Sequence, residues 1–172
     1  MSFEDLLKQG EALECYVVIA LGAEGIVLGR YDNRDDQWNY GDLYVGEAPN
    51  KNNANTNIEV KYDRRYHQTG NLFIEVGAKI KKSESTFKRG GIMASANWSW
   101  LITGDYRDLF MFKRSDLKRL YDEHEHQNVR EIPGGTGRGF LLSPSQILQF
   151  AVKEWHWPHE EPVRPPKKES SP

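Results

Sequence analysis

Apolar residues in the first part of the chain recur with helical spacing. Leu6, Leu7, Leu13, Val17, Val18 and Leu21 fall mostly on one face. Ser2 followed by Asp5 resembles a capping box, which predicts a helix starting near Phe3, and Gly22 and Gly25 end it. After Gly25 the pattern changes to short apolar runs separated by polar turns. Strands are predicted at residues 26–31, 43–45, 58–61, 72–76, 98–103, 109–112 and 140–142. Residues 32–40, the Asn-rich residues 46–57, residues 62–71 and the basic residues 79–89 read as turns or loops. Residues 92–97 read as a short helix. Ser115 is expected to cap a helix reaching about His124, residues 134–139 to form a turn, and residues 144–155 to form a last helix. Strands interleaved with helices predict an α/β domain with a mixed central β-sheet flanked by helices, spanning residues 1–157. Five of the eight prolines fall in residues 158–172, which are expected to be a disordered tail.

Composition narrows the class. A content of 38% hydrophobic and 28% charged residues suits a soluble globular chain of 172 residues and argues against disorder. No apolar run is long enough to span a bilayer, and no basic segment leads into an apolar one near Met1, so neither a membrane span nor a signal peptide is expected. The single cysteine, Cys15, excludes an intrachain disulfide and suits a reducing, cytoplasmic setting. Its place in an apolar helical run predicts a packing role. Charge is strongly segregated along the chain. Residues 1–60 carry a net −7, residues 61–119 a net +7, and residues 120–172 a net −2. A basic middle hidden in a near-neutral total suggests a polyanion partner, against the alternative that these charges pair off within the fold.

Candidate chemistry concentrates in Gly41-Asp42-Leu43-Tyr44-Val45 and Ile58-Glu59-Val60-Lys61. Alternate residues of a strand share a face, so Glu59 and Lys61 point one way while Ile58 and Val60 point into the core. If the two strands are neighbours, Asp42, Glu59 and Lys61 converge at a sheet edge. Hard cations such as Mg2+ or Mn2+ take oxygen ligands, often one or two carboxylates with water and phosphate oxygens. Two adjacent carboxylates repel unless a cation lies between them. Lys61 adds a donor for a water or a phosphate.

On these residues the chain resembles the PD-(D/E)XK nuclease superfamily, with Asp42 and Glu59-Val60-Lys61 as the match. Thr69-Gly70-Asn71-Leu72-Phe73-Ile74-Glu75, Gly91-Ile92 and Ser95-Ala96-Asn97-Trp98 resemble small phage-type and Holliday-junction-resolvase-like members, and the likeness spans about residues 10–145. The resemblance implies a restriction-endonuclease-like core and Mg2+- or Mn2+-dependent hydrolysis of DNA. It implies that Asp42 and Glu59 bind the metal with the Val60 carbonyl, and that Lys61 assists the attacking water. It also implies a carboxylate on the first helix, for which Glu14 fits best and Glu11 is the rival. Gly41 stands where the family usually has proline.

Arg64, Arg65, Lys79, Lys81, Lys82, Lys88 and Arg89 are the expected DNA-phosphate contacts, against the reading of a solvated surface loop. Trp98 and Trp100 are expected to pack into the core more than to stack on bases. His67, Glu123-His124-Glu125-His126 and His156-Trp157-Pro158-His159 have no zinc-site spacing with cysteine. The expected partner is DNA, with no membrane, and a homodimer is compatible. The competing reading is a DNA-binding or assembly module on the same fold without cleavage.

Overall fold

Leu13, Val17 and Leu21 follow one another at four-residue intervals, and all three are buried. They belong to helix α1 (Phe3–Ala23) and seat it on one face of a sheet, against Leu43, Ile58, Val60, Ile102 and Leu109. Cys15 lies off this stripe and is exposed, so the packing role expected for it does not hold. The computed structural model describes residues 3–79, 81, 83–132 and 135–156, with side chains from residue 8 onward. Ser2, the side chains of Leu6 and Leu7, Lys82, Gly134 and the tail with His159 lie outside the described residues.

The sheet under α1 has six strands. β1 (Leu28–Arg30), β2 (Leu43–Val45) and β3 (Asn57–Tyr62) form an antiparallel meander. β3 then pairs in parallel with β6 (Trp100–Gly104), and β7 (Asp108–Lys113) and β10 (Ala151–His156) complete the far edge antiparallel. The expected mixed sheet is therefore present. Its second face is covered by another sheet as well as by helices, which the sequence reading did not anticipate. That antiparallel sheet has the order β5 (Lys88–Arg89), β4 (Leu72–Ala78), β9 (Gly137–Leu142), β8 (Arg130–Glu131). Leu72, Ile74, Phe140 and Leu142 from it pack with Leu101, Phe110 and Phe112, together with Leu117 of α4 (Arg114–Leu120) and Ile147 of α5 (Pro144–Phe150).

Several local expectations change. Residues 34–40 form helix α2 (Arg34–Tyr40), not a turn. It buries no residue and so shows no apolar period, but Asn33 caps it by accepting the Asp36 N–H. A four-residue helix, α3 (Tyr66–Thr69), interrupts the loop after β3. Only a 3-10 turn (Gly91–Met93) forms where a short helix was expected. Ser115 is not a cap, because α4 starts at Arg114 and runs into a π turn (Tyr121–Glu125). Gly137 and Gly139 belong to β9, not to a turn. The last helix stops at Phe150, under a capping box formed by Ser143 and Gln146, and the chain continues as β10. Among the described residues no helix is long and apolar enough to cross a membrane.

Candidate active site

β2 and β3 are paired only as far as Leu43 opposite Ile58. Beyond that point β3 runs on beside β6, and the Val60 N–H is taken by Asp42 Oδ2 at 2.7 Å. The Asp42 N–H in turn donates to the Ile58 carbonyl at 2.9 Å. These two bonds fix Asp42 against β3, one residue from Glu59. The other end of β3 is held by buried Asn57, which accepts from Tyr31 Oη and donates to the Asn97 carbonyl.

Gly41 makes this approach possible. Its φ is +92°, and a Cβ there would stand 2.7 Å from the Ile58 carbonyl oxygen. Its N–H also donates to the Gln37 carbonyl. Proline satisfies neither condition, since its φ is fixed near −65° and it has no N–H. Glycine at this position thus has a local physical reason. Gly41→Ala is expected to cost about 1–3 kcal/mol of stability from backbone strain, and more from the clash. A chemical denaturation curve unchanged from wild type would show that the loop relaxes freely.

Ile58 and Val60 face α1, as the alternation predicted, and Glu59 and Lys61 face the other way. They do not stand at an exposed sheet edge, however. β3 is an interior strand, and Glu59 and Lys61 line a cavity shared with residues of the second sheet. The Glu59 side chain is only 14% exposed. Lys61 Nζ lies 2.5 Å from Glu59 Oε1. Glu59 first, then Asp42, pushes the Lys61 ammonium well above its usual range, so it stays protonated at neutral pH.

Asp42 is pushed up to about 7, first by burial and then by the Glu59 charge, against the pull of Lys61 and the Val60 N–H. Glu14 adds to that repulsion from α1. Its own carboxyl is raised by burial, with Arg30 opposing through bonds of 2.7 and 3.1 Å to Oε2. Glu11 is exposed on the outer side of the same helix. Among the described residues no three His, Cys, Asp or Glu side chains form a group that would hold a metal ion by themselves. The carboxylates brought together here are Asp42 and Glu59, and their repulsion is the kind that a hard divalent cation relieves.

The space facing Glu59 and Lys61 is a cavity of about 500 Å³, bounded also by Phe73 of β4 and Leu141 of β9, which alternate with the core residues of the second sheet. Glu75 of β4 and Thr103 of β6 also line it, the latter directly opposite Lys61 in the strand register. Burial first, then Glu59, raises the Glu75 carboxyl, while Lys61 lowers it. Glu75 sits at a register shift between β4 and β9, a bulge of the kind that re-aims a side chain. Glu75 ends the segment 69–75 of the resemblance but carries no site role there, and nothing local to Thr103 distinguishes it.

The expected DNA contacts divide. Arg65 lines the cavity beside Lys61, with exposed Arg64 next to it. Lys88 and Arg89 are exposed on edge strand β5, and Lys81 is exposed nearby. Lys79 is turned inward, with its side chain 13% exposed, between the Phe87 ring and Glu131, so it is poorly placed for phosphate. Lys82 lies outside the described residues. Arg130, which the sequence reading did not single out, joins the cavity mouth from β8. Trp98 is buried under the Arg114 guanidinium, 4.0 Å from its ring centre, in accord with a core role. His67 approaches Asp105 at 3.7 Å, His156 pairs with Asp108 at 2.7 Å, and buried Glu125 accepts from Gln146 and Asn128. Compared with known protein families, with characterised protein sequences and with solved structures, the chain shows no match.

Proposed function

We propose that the chain is a metal-dependent deoxyribonuclease built on a PD-(D/E)XK, restriction-endonuclease-like core. It would hydrolyse phosphodiester bonds at Asp42, Glu59 and Lys61. The observation that carries this reading is the joint between β2 and β3. There the Val60 N–H fixes Asp42 beside the Glu59–Lys61 pair, and burial together with the Glu59 charge drives Asp42 up to about 7. Unless a cation or a proton is taken up there, that arrangement costs stability, which a structural ion pair would have no reason to retain.

Asp42 and Glu59, with the Val60 carbonyl, would hold Mg2+ or Mn2+. When bound, such a cation supplies positive charge that stabilises the phosphate in transit and acidifies water. Lys61 remains an ammonium, so it acts as a charged donor to the attacking water or to a phosphate oxygen, not as a base. Glu14 lies close enough to raise Asp42 and is anchored by Arg30, so it supports the carboxylate set from α1 and does not stand on its own. Arg64, Arg65, Lys81, Lys88 and Arg89 supply positive charge for the flanking phosphates. A cytoplasmic DNA substrate suits this chemistry.

The test separates chemistry from binding. Lys61→Ala is expected to lower kcat by about 10²–10³ fold. Its effect on DNA affinity should be under about tenfold, because one charge among many phosphate contacts contributes little. Single-turnover cleavage and equilibrium binding give the two numbers. Equal losses in both would reduce Lys61 to a phosphate contact.

A further inference from the structure

The cavity beside the site has features that phosphodiester hydrolysis alone does not require. Thr103 is 1% exposed, and its hydroxyl Oγ1 has no hydrogen-bond partner. A buried hydroxyl without a partner is costly, and Thr103 is among the residues that line a space of about 500 Å³. On the opposite wall, the Glu75 carboxylate accepts no hydrogen bond among the described residues. Glycine backbone walls it in. A Cβ at Gly90 would lie 3.2 Å from Glu75 Oε1, and one at Gly137 would lie 2.9 Å from Oε2. The space between these two polar groups is bounded by Phe73, Ile92, Trp98 and Leu101. At the mouth, the guanidinium groups of Arg65 and Arg130 are exposed and make no ion pair among the described residues.

We infer that this cavity receives one unstacked base of the DNA substrate, with Thr103 and Glu75 bonding its edge and Arg65 and Arg130 holding the adjoining phosphates. The inference rests on the nuclease reading, because Glu59 and Lys61 are shared by the cavity and the proposed hydrolytic site. Its volume falls in the range that encloses a small organic group and is far below that of a duplex. Apolar and aromatic walls suit the faces of a base, while a few buried polar atoms suit its edge. The guanidinium groups of Arg65 and Arg130 suit phosphate, which stays outside with its charge hydrated. An ionised carboxylate only accepts, so Glu75 suits a base edge that presents an N–H donor. A base drawn in here places its own phosphate next to Glu59 and Lys61. The substrate class is therefore DNA with an unpaired nucleotide: a single strand, a gap or a branch point.

Binding tests this apart from catalysis. The wild-type protein, held in calcium to suppress cleavage, is titrated with a short single strand, the same strand with one abasic position at each site in turn, and its perfect duplex. The single strand should bind at least about tenfold tighter than the duplex, and one abasic position should weaken binding by a similar factor, the size expected for a lost pair of buried hydrogen bonds. Thr103→Val, which keeps the shape, and Leu141→Trp, which fills the cavity from a side chain already 39% exposed, should each lose the preference for the intact strand. Their binding to the abasic strand should be unchanged. Duplex bound as tightly as single strand, or both variants discriminating like wild type, would overturn the inference. If the base preference holds while magnesium elicits no cleavage of any of these DNAs, the nuclease reading fails and the pocket stands. If magnesium-dependent cleavage occurs with no base preference, the pocket fails alone.

Discussion

Replacing Asp42 by asparagine is expected to stop DNA cleavage and, in metal-free buffer near pH 8, to make the protein more stable. The first effect follows from losing a carboxylate ligand. The second follows from the direction of the Asp42 shift. Its folded-state carboxyl is raised to about 7, above the ordinary value of 3.8. The folded protein therefore binds this proton more tightly than the unfolded chain does. That contribution is fully present below about pH 4 and is lost as pH rises through 7. Above that, ionised Asp42 destabilises the fold by an amount on the order of 2–4 kcal/mol. Asparagine removes the charge while its carbonyl still accepts the Val60 N–H. A rise in Tm of at least about 5 °C is expected at pH 8, with little difference at pH 4. Magnesium should narrow the gap by stabilising wild type. A less stable variant at pH 8 would show that Asp42 is structurally satisfied and not poised for a cation.

The largest loss of stability is expected at a residue outside the proposed carboxylate–lysine set. Arg114 is 7% exposed and pairs with no carboxylate among the described residues. Its guanidinium instead donates to four carbonyls of one loop, those of Ile92 at 2.8 Å, Ala96 at 2.6 Å, Trp98 at 3.1 Å, and Ala94. It also stacks on the Trp98 ring. This loop carries Ile92 and Trp98 into the cavity wall and presses the 3-10 turn on β4. Arg114→Met keeps the length and the apolar contact but leaves those carbonyls without a donor. Each buried orphan costs about 1–3 kcal/mol. A total loss of about 3 kcal/mol or more is expected, seen as a fall in Tm of roughly 10 °C. Arg114→Lys should recover little, because a compact ammonium does not reproduce the planar fork. Full stability in the lysine variant would show that one or two of the bonds carry the loop.

The core of the site was legible because it is local. Ile58-Glu59-Val60-Lys61 alternates, and Asp42 abuts an apolar strand, so their convergence needed only one antiparallel pairing. The helix stripe Leu13, Val17, Leu21 was equally direct. What was missed depends on contacts distant in sequence. Arg114 read as one more charge in a basic stretch, since nothing near it shows the four carbonyls it serves. Glu75, Thr103 and Arg130 come from strands in two sheets. The second sheet was hidden because β5 and β8 have two exposed residues each and no alternation to detect. The last helix, expected over residues 144–155, ends at Phe150, and β10 follows. Pairing with β7, not local preference, makes it a strand. Glycines 137 and 139 suggested a turn, whereas their lack of side chains lets β9 pass close to Ile74 and Glu75.

The central claim is that Asp42 and Glu59 hold a divalent cation for phosphodiester hydrolysis. The most direct measurement is cleavage of end-labelled single-stranded, gapped and four-way-junction DNA by wild type and Glu59→Gln, with magnesium and with excess chelator. Wild type should cut at least one of these DNAs in magnesium and none in chelator, and Glu59→Gln should cut none while binding DNA as tightly as wild type. Cleavage that survives in chelator or in Glu59→Gln would contradict the account.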